Sequence, residues 1–76
     1  MNYKIEVKTK DGNGNMVTIT MLPFSKQEDM DSYWELLKKP ENLMVFAGEN
    51  SIYLYKMALS PMGNWELQES QKKVIS

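Results

Sequence analysis

The sequence predicts an α+β fold of ββαββ order: an antiparallel sheet of about four strands with one helix packed on one face. Three observations carry this. Residues 2–10 alternate strictly between apolar and polar, and a dense turn signal follows them. Residues 25–39 show helical spacing and end at Pro40. Residues 51–59, "SIYLYKMAL", are aromatic and β-branched over strand length.

In the first strand Tyr3, Ile5, Val7 and Thr9 share one face, and Lys4, Glu6, Lys8 and Lys10 share the other. "DGNGN", residues 11–15, is a hairpin turn. It is neither a calcium loop, since Asp11 is its only carboxylate, nor a phosphate loop, since no Lys-Ser/Thr follows. The second strand covers residues 16–22, with Val17, Ile19 and Met21 opposite in face to Thr18 and Thr20. Paired residues share a face, so the loop must have odd length. The loop Gly12-Asn13-Gly14, with Gly14 left-handed, pairs Val7 with Ile19 and Ile5 with Met21. Lys8 then faces Thr18 and Glu6 faces Thr20 on the outer side.

Pro23 closes this strand, and "SKQE" reads as a capping box between Ser25 and Glu28. Acidic residues near the start and Lys38 and Lys39 at the end suit the helix dipole. Met30, Tyr33, Trp34 and Leu37 form the apolar stripe. "LMVFA", residues 43–47, reads as a third strand, "GEN" at 48–50 as a turn, and residues 51–59 as a fourth strand. Residues 1–60 thus make one domain, and 61–76 a C-terminal extension docked through Trp65 with a flexible end.

Composition narrows the function. The 76-residue chain has no Cys and no His, which removes disulfides, thiol nucleophiles, Ser-His-Asp sites and most zinc sites. No cofactor and no metal are expected, and the chain is not expected to be an enzyme. Cysteine-free composition fits the cytoplasm, and no apolar run approaches the ~20 residues of a membrane span. Net charge is −1, and all nine basic residues are Lys, so there is no Arg for bidentate phosphate or guanine recognition. Nucleic acid is therefore not the expected partner.

The strand at 51–59 is apolar on both faces. With Ile52 and Leu54 turned to the helix, the opposite sheet face would carry Lys4, Lys8, Thr18, Thr20, Tyr53, Tyr55 and Met57, the candidate binding residues. Three occupants suit it: the tail folded back through Trp65 and Leu67, a second copy meeting face to face, or another protein. Tyrosines among lysines also suit unpaired bases. A second candidate is the acidic helix face of Glu28, Asp29, Asp31 and Glu35, an imitation of phosphates, although helix-end preferences already explain these acids and the near-neutral total charge weakens mimicry. Lys56, within the apolar strand, is expected to reach out to solvent.

The hairpin "TKDGNGNMVTIT", the helix "SKQEDMDSYWELL" and the run "LMVFAGENSIYLYKMALS" together resemble small hairpin–helix–hairpin accessory proteins of Gram-positive phages and mobile elements, over about residues 3–60. The resemblance implies a factor that binds and modulates a host or phage protein, and it assigns no residue roles. The expected function is thus a non-catalytic accessory protein that occupies a partner protein or itself as a homodimer. A weak single-strand nucleic-acid binder and an acidic inhibitor of a nucleic-acid enzyme are the alternatives.

Overall fold

The computed structural model describes residues 1–46, 48 and 51–74. Its elements run β1 (Tyr3–Lys10), β2 (Met16–Phe24), α1 (Gln27–Leu37), a 3-10 segment (Pro40–Phe46), β3 (Ser51–Leu59) and β4 (Trp65–Val74). The strands form one antiparallel sheet in the order β2-β1-β3-β4, so two hairpins lie side by side with β1 and β3 in the middle. This is the α+β class that the sequence predicts.

The core lies between the sheet and α1. Met30, Trp34 and Leu37 recur at helical spacing and bury against Ile5, Val7, Ile52 and Leu54. Burying each such side chain contributes about 1.5–3 kcal/mol. Tyr3, Leu22, Phe24 and Phe46 form the rim. Tyr33, the remaining member of the predicted stripe, is 39% exposed and packs its ring against Phe24 at 5.7 Å.

Both hairpins close with the same five-residue turn, "DGNGN" at 11–15 and "SPMGN" at 60–64. In each, the fourth residue is a glycine with positive φ, Gly14 at 83° and Gly63 at 87°. Its N–H donates to the first residue's carbonyl, and the first residue's N–H donates to the fifth's carbonyl. The first side chain also accepts: Asp11 Oδ1 from the N–H of Asn13 and Asn15, Ser60 Oγ from the N–H of Asn64. A left-handed residue with a Cβ costs about 1–2 kcal/mol. Open space surrounds both Gly12 and Gly14, and only Gly14 has positive φ. Gly14→Ala should therefore lose about 1 kcal/mol of unfolding free energy in urea titration and Gly12→Ala close to none.

The register of the first hairpin departs from expectation halfway along. Lys10 pairs with Met16, Thr9 with Val17 and Lys8 with Thr18, as the three-residue loop requires. A β-bulge then leaves Ile19 over, and Val7 pairs with Thr20 and Ile5 with Leu22 instead of Ile19 and Met21. The apolar parity of β2 itself changes here, from Val17 to Leu22 and Phe24. The bulge delivers Leu22 and Phe24 to the core and leaves Ile19 and Met21 at 39% and 41% exposure.

Three other expectations are corrected. Residues 43–46 are not a strand: the chain turns into a 3-10 segment from Pro40 that buries Leu43 and leaves Met44 and Val45 exposed, while residue 47 lies outside the described residues. A short apolar run does not separate strand from helix by periodicity. Asn42 holds this corner, its amide donating to the Leu36 carbonyl at 2.7 Å. The expected turn at 48–50 lies outside the described residues apart from Gly48.

Second, residues 65–74 are no extension: they form β4, paired along its length with β3. Third, the capping box is absent. β2 runs to Phe24, so Lys26 becomes the N-cap, with no side-chain cap bond.

Candidate functional site

Strand pairing decides what shares the outer face. Lys4 lies opposite Met57, Glu6 opposite Tyr55 and Lys8 opposite both Tyr53 and Thr18. On the far side Met57 faces Leu67, Tyr55 faces Ser70 and Tyr53 faces Lys72. The face thus gathers Lys4, Lys8, Thr18, Tyr53, Tyr55 and Met57 from the predicted set. Thr20 is corrected: the bulge places it opposite Val7 on the helix side, where it lines an apolar groove. Lys72 joins the face, missed because β4 was not expected to be a strand, while Trp65 and Leu67, expected there as a folded-back tail, reach it as part of β4.

Lysines lie over the aromatic rings. Lys4 Nζ sits 4.3 Å from the Trp65 ring, Lys8 5.7 Å from Tyr55, and Lys10 and Lys72 5.7 and 5.6 Å from Tyr53. Each contact is worth about 0.5–1 kcal/mol where exposed. Glu6 is clamped between Lys4 at 3.2 Å and Lys8 at 3.7 Å, with its side chain only 18% exposed. Among the described residues, four lysines, Lys4, Lys8, Lys10 and Lys72, therefore stand against one glutamate, an outer-face charge of +3 in a chain of −1. The surplus of acids lies elsewhere, on the helix side and in the loops.

The helix side is a paired network. The Lys56 ammonium does not reach out to solvent. It donates to Asp31 Oδ1 at 2.9 Å, stands 3.6 Å from Glu69 and lies 5.6 Å from the Trp34 ring, with its side chain 13% exposed. A bulge in β4 at Gln68 brings that side chain to Gln27, where the two amides exchange hydrogen bonds of 2.9 and 3.0 Å. Gln27 also donates to Asp31. The predicted acidic face is thereby divided: Asp31 is taken by Lys56 and Gln27, Glu35 pairs with Lys38 at 2.7 Å, and Glu28 and Asp29 are exposed in the first turn.

Hydrogen bonds from Lys56 and then Gln27 hold the Asp31 carboxyl below its ordinary range. Glu69 is lowered by the Trp34 indole first, and also by Gln71 and Lys56. That indole N–H is buried and completes no hydrogen bond among the described residues; it leans on Glu69 without full geometry. A carboxyl lowered on folding adds stability above its unfolded pKa and loses it as pH falls through the folded one. Thermal melts should therefore drop below about pH 4. The drop should be smaller in Asp31→Asn, which has one fewer lowered carboxyl; equal drops would remove Asp31 from the account.

An apolar groove of about 350 Å³ lies between β2, α1 and the 3-10 segment, lined among others by Thr20, Leu22, Tyr33, Leu36, Val45 and Phe46. No helix among the described residues is long and apolar enough to cross a membrane. Comparison with known proteins finds no matching family model, no similar curated sequence and no similar solved structure.

Proposed function

We propose that the chain is a small non-catalytic binding protein that docks an acidic protein partner on the outer face of its sheet. The carrying observation is the separation of charge: a +3 face of lysines and aromatic rings on a chain whose total is −1. Such a face steers and orients an anionic surface. Tyr53, Tyr55, Trp65, Met57 and Leu67 supply the apolar and aromatic area that interfaces concentrate. The resemblance to accessory proteins of phages and mobile elements supports the same role.

A single-stranded nucleic acid is the second reading, favoured by the lysines set over tyrosines. Base stacking needs an open ring face, however, and Tyr53 has a lysine from each neighbouring strand within 6 Å, at 5.7 and 5.6 Å. Trp65 fluorescence separates the readings. A glutamate-rich peptide should shift its emission, and a Trp65→Phe variant should lose that response. Oligo-dT should give none. Binding of oligo-dT alone, with log K falling against log salt at a slope near about −3 for four phosphate contacts, would replace the protein reading with the nucleic-acid one.

A further inference from the structure

We infer that the chain pairs with a second copy of itself through the free edge of β2. The two edges of the sheet differ in chemistry. β4 carries Glu66, Glu69, Lys72 and Lys73 along its ten residues, and such charges protect an edge from unwanted pairing. β2, "MVTITMLPF", carries no charged residue in nine. Met16, Val17, Ile19 and Met21 stand between 39% and 44% exposed. A 76-residue chain buries only about 60% of its unfolded surface, and this one has no cysteine to form a disulfide. Pairing between copies supplies further burial.

The turn sets the phase of the free edge. Asp11 donates to the Asn15 carbonyl, which makes Asp11–Asn15 a hydrogen-bonded pair. Backbone direction alternates from there, so Thr9–Val17 is hydrogen-bonded inward, while Met16 and Thr18 turn their N–H and C=O outward. An antiparallel copy related by a two-fold axis at Val17 then pairs Met16 of each chain with Thr18 of the other. Val17 meets Val17 as the non-hydrogen-bonded pair between them. No like charges meet anywhere along this contact.

The same features close the assembly. The bulge at Ile19 ends the straight edge, and Pro23 has no N–H to offer, so pairing is confined to the half of β2 next to the turn. A self-complementary contact of this kind stops at two copies. Face-to-face pairing of two outer faces is disfavoured by comparison, because it would set two faces of like positive charge against each other. The edge pairing instead sets both lysine–aromatic faces on the same side of a continuous eight-stranded sheet. Of the outer-face residues it uses only Thr18, and that through its backbone, while the lysines and aromatic rings of the proposed partner site stay clear of it, so the two proposals fail separately.

Light scattering after size exclusion, at micromolar concentration, tests this with the intact chain and two variants. The wild type should run at twice its 8.9 kDa mass. Val17→Lys puts two ammonium groups directly opposite each other and should give a folded monomer by circular dichroism. Val17→Cys should oxidise to a disulfide-linked dimer, since Cα atoms of a non-hydrogen-bonded pair lie about 4.5 Å apart, within disulfide reach. Asn13→Cys, in the exposed turn, should not. A monomeric wild type overturns the proposal. So does a dimer that Val17→Lys leaves intact, or one in which Cys at position 17 fails to cross-link.

Discussion

Replacing Trp34 with Ala should cost about 3–5 kcal/mol. Trp34 is the largest fully buried side chain and ties α1 to both central strands. At about 0.05–0.15 kcal/mol per residue, a domain of this size has about 4–11 kcal/mol in total. The variant should therefore be marginal or unfolded in urea titration, with its far-ultraviolet signal reduced in water. Trp34→Phe should lose less: it keeps a ring in the core and removes the one buried side-chain N–H without a completed hydrogen bond among the described residues. A Trp34→Ala midpoint equal to wild type would show that the helix does not depend on this contact.

Reversing Lys8 and Lys10 together to Glu should abolish most of the affinity for an acidic peptide. The outer face would change from four lysines and one glutamate to two lysines and three glutamates, from +3 to −1. Like charges across an interface cost several kcal/mol, so a loss of at least about tenfold, equivalent to about 1.4 kcal/mol, is expected. Both residues are surface lysines whose contacts are a long ion pair and ring-facing ammoniums, so stability should change by about 0.5–1 kcal/mol at most. Unchanged affinity in a folded variant would remove the outer face from the binding account.

The fold class, the first turn and the helix stripe were legible because each rests on a local rule. "DGNGN" encodes a left-handed glycine by its spacing, and Gly14 adopts it. Met30, Trp34 and Leu37 lie on one helical face and are buried together. The second hairpin was legible only in part. Its turn "SPMGN" repeats the first turn's pattern of acceptor, glycine and asparagine, a signal that could have pointed to β4. The strand after it hides, because "WELQESQKKV" is an edge strand, polar on its helix side, and the bulge at Gln68 breaks the alternation of Trp65, Leu67 and Val74 on the other. Without that strand the sequence gives Lys72 no place on the candidate face and offers Trp65 only as part of a folded-back tail.

The bulge at Ile19 shows a different limit. Val17, Ile19 and Met21 agree on one parity, and Leu22 and Phe24 on the other. Both sets are apolar, so alternation alone does not choose between them. Packing chooses: Ile5 and Tyr3 need partners near the helix, and Leu22 and Phe24 are the ones the bulge supplies. One extra residue therefore moved Thr20 off the candidate face.

A chemical-shift map of ¹⁵N-labelled protein titrated with a glutamate-rich peptide would locate the docking surface residue by residue. Docking on the outer face should shift the amides of Lys4, Lys8, Lys10, Tyr53 and Tyr55 and the Trp65 indole, with α1 unmoved. Shifts centred on Glu28, Asp29 and Glu35, or none at saturating peptide, would contradict it.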